Sequence, residues 1–327
     1  MCLNEISIIV PTYNSSWKKT KLTLLSCLKQ KNIKIEIIIT DDHSSDNHFD
    51  IIKAFFRKNN FYNYTLISAE ANRGTCMNFY EGLRKAHYQY IKGIAPGDLL
   101  HASDTLEKWV AFMQQNNIRA SFCRNVFYKP ENDTLVPFVH TEIPNYIECY
   151  RNDSYNYRRC RYIYVVNRDY IVGVNCIFER ELCLHYLKTL IDYGVKYCED
   201  HIIWPMYWEG LEIRFYNEIG MWYEYDVDGI TSSSRRIEWR ERLLQDEDNT
   251  ENILIDKENK NFFLNRLSIL YRLRKTHKPW LIRLGKIVLF PMSVYWSRVI
   301  KTHKTMSCVT PDSSFVLSLL HDVEQER

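Results

Sequence analysis

Two runs near the start of the chain, EISIIVP at 5–11 and IKIEIIIT at 33–40, are apolar and β-branched at nearly every position. A strand with one wet face alternates apolar with polar side chains. A run without that alternation belongs to a strand covered on both faces. Between the two runs, WKKTKLTLLSCLKQ (17–30) sets Leu22, Leu25 and Leu28 on one helical face. The alternation continues with an amphipathic segment over 49–59, a strand over 64–69, a helix over 77–87 and a strand over 88–94. Covered strands separated by helices predict an α/β fold of βαβ units, with a mostly parallel, Rossmann-like sheet and helices on both faces.

The pattern then loosens. A helix is expected over 105–117, a strand over 120–128, a strand and helix over 172–194, a helix start over 197–210 and strands over 211–226. Residues 129–170 are rich in Tyr and carry no clear period, and 227–236 read as a polar loop. A helical, basic and aromatic tail is expected from about Ile253. The chain divides by pattern into three parts: 1–104, 105–250 and a C-terminal segment, 251–327.

Every early strand ends in a polar loop: PTYN, DDHSSDN, NRG and APGD. In an open parallel sheet such loops gather along the edge where ligands bind. The first of them lacks the GxGxxG of dinucleotide sites. Tyr13 can stack on a base, and Asp42 can accept from a base N–H or a ribose hydroxyl. Asn14 and Asp42 are equally residues that close turns. Asp98, just past a strand end in IKGIAPGDLL, is either a cap for the helix that follows or a ligand for metal or phosphate.

Taken in order, ISIIVPTYN, IEIIITDDHSSDN, NRGTCMNFYEGLRKAHYQYIKGIAPGD and the CED at 198–200 resemble glycosyltransferase family 2, with its nucleotide-sugar-binding GT-A fold. The likeness is close over roughly 4–104 and looser out to 199–200 and to DGITSSS at 228–234. It implies an inverting enzyme of the bacterial surface-polysaccharide type. Pro11, Thr12, Tyr13 and Asp42 would hold the nucleobase and ribose, with Asn14 beside them. Asn72 and Gly74 would shape the loop next to the ribose and sugar. Asp98 would hold Mg²⁺ or Mn²⁺ on the diphosphate of a UDP-sugar. Ala95 and Gly97 stand where the family carries further carboxylates, so phosphate and water would supply the remaining ligands. Asp200 would be the base that takes the acceptor proton, with Glu199 positioning it; both also suit the start of a helix, where carboxylates complement the dipole. Arg235 and Arg236 either neutralise the leaving diphosphate or belong to a solvated loop. Two other functions stay open: a nucleotidyltransferase and a non-catalytic nucleotide-sugar-binding scaffold.

Charge is distributed unevenly. Between Asn259 and Lys304 lie eleven of the 43 Lys and Arg and no Asp or Glu, leaving 32 basic against 40 acidic residues elsewhere. Cations interleaved with Trp280, Phe290 and Trp296 suit helices lying on an anionic membrane surface. Nucleic acid is the rival for such a patch, but no nucleic-acid-binding motif accompanies it. Packing on the catalytic body is the third possibility. No apolar run approaches the ~20 residues of a membrane span. The ten cysteines form no CxxC and no zinc spacing, and no signal-peptide pattern opens the chain. The expected setting is the cytoplasm, at the inner face of the membrane.

Overall fold

The computed structural model describes residues 4–131, 134–137, 144–151, 155–225, 236–300 and 312–325. Its first half is the anticipated parallel arrangement. Strands β1 (Glu5–Thr12), β2 (Lys34–Asp41), β3 (Tyr64–Ser68) and β4 (Tyr90–Gly93) pair in the order β3-β2-β1-β4. Helices α1 (Trp17–Leu28), α2 (Phe49–Lys58) and α3 (Thr75–Lys85) connect them. The β-branched runs are buried on both faces, as their lack of alternation requires. Ile6, Ile8, Val10, Ile37 and Ile39 enter one core layer, while Ile9 and Ile38 enter the other. All seven are fully buried, and each such side chain contributes roughly 1.5–3 kcal/mol of apolar burial.

The sheet continues without a break into the second half. Beyond β4 come β8 (Cys176–Glu179), β6 (Ala120–Glu131), β9 (Arg214–Glu224) and the short β5 (Leu99–Leu100), with β7 (Thr134–Pro137) paired to β6. Strand β8 runs antiparallel to both β4 and β6, whereas β9 runs parallel to β6. Register brings the C-terminal end of β9 to β5, with Leu99 opposite Trp222. The loop after β4 and the end of β9 therefore meet at one place.

The remaining helices are α4 (Thr105–Gln115), α5 (Tyr157–Asn167), α6 (Arg180–Asp192), α7 (Ile203–Trp208), α8 (Arg236–Asp256), α9 (Phe262–Arg274), α10 (Pro279–Leu289), α11 (Pro291–Val299) and α12 (Ser314–Gln325). Two of them depart from the sequence expectation. Helix α5 lies inside the stretch without a period, because Tyr and Arg alternate with its buried Cys160, Ile163, Val165 and Val166. Helix α8 starts well before Ile253. Its inward face carries Asp246, Thr250 and Glu251, all buried, so hydrophobic periodicity could not reveal it. Helix α9 belongs to the body of the molecule. Leu264, Leu267 and Leu270 enter the core, and Arg274 shares Glu251 with Arg168 at 3.1 and 2.7 Å.

Candidate active site

Strand β1 ends at Thr12, whose hydroxyl donates to the Thr40 carbonyl (3.2 Å) and to Asp41 Oδ1 (3.1 Å). Asn14 ties this loop to the next, its Oδ1 accepting from Ser45 N and Oγ. Asp42 is buried, and its two oxygens accept from the backbone N–H of Arg73 (2.9 Å) and Gly74 (2.8 Å). Tyr13 and Asn72 remain exposed on these loops.

Gly74 joins this side to the other wall. It sits at φ +91°, and a Cβ there would lie 2.7 Å from the Lys196 carbonyl oxygen. That oxygen also accepts from Cys76 N at 2.9 Å. Residues 196–198 are gripped in turn from behind by Asp246 of α8. Its carboxylate accepts from the N–H of Lys196, Tyr197 and Cys198 at 3.0, 2.7 and 3.1 Å. The chain then enters a short 3₁₀ turn over Glu199–Ile202 that carries Glu199 and Asp200. Gly74→Ala combines a left-handed φ with a clash against backbone, so a destabilisation of roughly 1–3 kcal/mol is expected. Thermal unfolding checks this; an unshifted melting curve would refute it.

Asp200 is 9% exposed, and Tyr170 donates its hydroxyl proton to Asp200 Oδ2. Burial raises the pKa of both carboxyls above their ordinary range. Repulsion from Asp200 adds to the shift at Glu199, while the Tyr170 hydrogen bond moderates it at Asp200. His201, next along the turn, is held neutral by burial and bonds Thr250 Oγ1 at 2.8 Å.

The third group stands where β4, β5 and β9 converge. Asp98 does not cap α4, whose N-cap is Asp104. Its Oδ1 accepts from the backbone N–H of Glu224, the last residue of β9, at 2.9 Å. Burial pushes the Asp98 carboxyl up to about 7, against the pull of that hydrogen bond. The Glu224 side chain comes beside Gly97: a Cβ on Gly97, itself at φ +106°, would fall 2.0 Å from Glu224 Oε2. The APGD turn, short of acidic residues in its own sequence, thus receives a second carboxylate from 126 residues further along the chain. Lys19 makes an ion pair with Glu224 at 3.0 Å.

One cavity of about 340 Å³ joins these groups. Pro11, Asp98 and Glu224 line it together with Tyr170, Glu199 and Asp200. Of the residues singled out from sequence, Pro11, Asp98, Glu199 and Asp200 line this space directly. Thr12, Asn14, Asp42 and Gly74 hold its loops together. Arg235 lies outside the described residues, and Arg236 is the first residue of α8. Sequence reasoning missed Glu224, Tyr170 and Asp246. The pairing of β9 with β5 and β6 places Glu224, the polar inner face of α8 places Asp246, and Tyr170 follows α5.

Residues 7–186 match the family model for glycosyl transferase family 2. A Haemophilus influenzae protein described as an uncharacterized glycosyltransferase is 26% identical over 191 residues, covering 55% of this chain and 75% of that one. The poly-beta-1,6-N-acetyl-D-glucosamine synthase of Staphylococcus epidermidis is 37% identical over 86 residues, 26% of this chain and 20% of the synthase. Among solved structures, S. aureus TarS 1–349 in complex with UDP-GlcNAc superposes with a TM-score of 0.54 at 16% identity, covering 88% of this chain and 76% of that one. At that identity the likeness is one of fold.

Proposed function

The chain belongs to glycosyltransferase family 2, and we propose that, as such an enzyme, it moves a sugar from a UDP-sugar to an acceptor hydroxyl with inversion at the anomeric carbon. The observation that carries this reading is the pair of acidic groups, Asp98 with Glu224 and Glu199 with Asp200, brought to one cavity by separate segments. In a single displacement the acceptor oxygen bonds to the anomeric carbon as the bond to the diphosphate breaks. The acceptor proton passes to a carboxylate on the face away from the leaving group. Asp200 fits that task, with Tyr170 orienting it and Glu199 beside it. Tyr13 is free to stack on the base. Asp42, although both its oxygens hold backbone N–H groups, keeps lone pairs for a ribose hydroxyl. Pro11, Thr12, Asn14, Asn72 and Gly74 shape that pocket, and Arg235 and Arg236 answer the charge of the diphosphate.

Asp98 and Glu224 are the residues that would hold a Mg²⁺ or Mn²⁺ ion. They are hard oxygen donors and suit such a cation, which would offset charge on the departing diphosphate. Among the described residues no group of three or more metal-ligating side chains exists, so two carboxylates need the nucleotide's own phosphates to complete the shell. Calorimetry is therefore expected to find tight Mn²⁺ binding only with UDP present, and Asp98→Ala should abolish it. Tight binding to the nucleotide-free protein would overturn this assignment.

Surface polysaccharide or its lipid-linked precursor is the acceptor class we propose, and the TarS complex makes UDP-GlcNAc the donor to try first. The basic tail supports work on the cytoplasmic membrane face. The test is release of UDP from a panel of UDP-sugars, followed by assignment of the product anomer. Absence of nucleotide release from every donor would favour the scaffold function.

A further inference from the structure

The C-terminal helices α10 and α11 carry a feature that the sugar-transfer site does not use. Their inner side is fixed to the body. Phe290, at the joint, is fully buried against Tyr162 and Phe263, each with ring centroids 5.7 Å away. Ser293 and Asn167 exchange hydrogen bonds of 2.9 and 3.2 Å. Their outer side is unusually apolar for a surface. Trp280, Leu284, Val288, Met292, Tyr295 and Val299 are each between 49% and 66% exposed. Scattered apolar residues are ordinary on a surface, but a concentration of this kind on two adjacent helices marks an interaction face.

The charges on the same helices are equally distinctive. From Pro279 to Val299 the only charged residues are Arg283, Lys286 and Arg298. All three line one pocket of about 250 Å³, with Ser297, Asn167 and Ile287. Ile287 is also 46% exposed, so the pocket opens beside the apolar face. None of the three cations has an ion pair among the described residues. The nearby Glu251 is already shared by Arg168 and Arg274. Lys286 is pushed down to about 8 by burial and by those same two arginines, a mark of a pocket short of negative charge.

Resting on the membrane-face part of the function proposed above, we infer that α10 and α11 form a docking face for an anionic phospholipid surface, with the lipid phosphate held by Arg283, Lys286 and Arg298. Helices of eleven and nine residues are too short to cross a bilayer, and no helix of the described residues is long and apolar enough to do so. Lying in the interface, they would bury the apolar side chains among the headgroups and upper acyl chains. Three convergent cations in one pocket match a single phosphate group. A nucleic acid would instead be met by cations spread along its backbone.

The test is flotation of the full chain with vesicles of phosphatidylcholine, with and without phosphatidylglycerol. Binding is expected only to the anionic vesicles. Arg283→Gln with Arg298→Gln should weaken it about 25-fold, at about fivefold for each cation. Trp280→Ser with Val288→Ser should abolish the fraction that resists salt. All four side chains are on the surface, so an unchanged melting curve and unchanged UDP release will show that fold and chemistry are intact. Failure of the native chain to float, or indifference of both double variants, would overturn the inference. So would stabilisation by inorganic phosphate without vesicle binding, which would assign the pocket to a soluble ligand, or capture of duplex DNA in place of vesicles. If flotation holds but no donor is turned over, the sugar-transfer proposal fails and the docking face stands.

Discussion

Asp200→Asn is expected to lower kcat by about 10²–10⁴, the usual contribution of a positioned general base. The amide keeps the shape of the carboxyl and can still accept the Tyr170 hydroxyl proton, but it cannot take a proton from the acceptor. UDP affinity should hardly change, because Asp200 lies beyond the loops that Asp42 and Gly74 secure. The pH profile supplies an independent check. Burial raises the pKa of Asp200, and as the proposed base it would work only when ionised. Activity of the native enzyme should therefore fall on acidification at a pH above the ordinary carboxylate value of about 4, and Asp200→Asn should lose that acid limb. Near-normal transfer by the variant would move the role of base to Glu199.

The parts of the molecule legible in the sequence are those that hydrophobic pattern decides. Strands β1 and β2 are buried on both faces, and the unbroken β-branched runs that form them carry that message on their own. The loops that follow them meet at one edge because parallel strands leave them no other place. Hence Pro11 and Asp98 could be grouped from the sequence pattern, whereas Glu199 and Asp200 joined them only through the resemblance to glycosyltransferase family 2; the four share one cavity. What stayed hidden depends on pairing between distant segments. Glu224 reaches Asp98 only because β9 crosses to lie beside β5 and β6. Tyr170 follows a helix whose period is masked by Tyr and Arg. Asp246 sits on the buried side of a helix whose inner face is polar, the reverse of the pattern used to find helices. Asp42 illustrates a different limit. The sequence offers a carboxylate at a strand end, but it does not say that both oxygens already hold the backbone of residues 73 and 74.

Asp246→Ala should show how far the site depends on that hidden helix. Its carboxylate satisfies three consecutive N–H groups immediately before the turn of Glu199 and Asp200, and it is 2% exposed. The three donors are only partly buried, so each left unpaired costs the low end of about 1–3 kcal/mol, and a total of roughly 3 kcal/mol is expected, less whatever water recovers. The loop can yield locally without unfolding the sheet. The loss should therefore appear first as rapid hydrogen exchange at residues 196–198 and as a fall in kcat that exceeds any rise in the donor KM. Asp246→Asn discriminates further. Tyr197 and Cys198 both donate to Oδ2, whereas Lys196 donates to Oδ1. An amide oxygen in the Oδ2 position keeps two of the three bonds but turns an NH₂ group toward the Lys196 N–H, donor against donor. The asparagine variant should thus fall between the native chain and alanine in both stability and kcat. If Asp246→Ala melts and turns over like the native enzyme, the three hydrogen bonds do not hold the turn of Glu199 and Asp200, and the placement of Asp200 must come from Tyr170 alone.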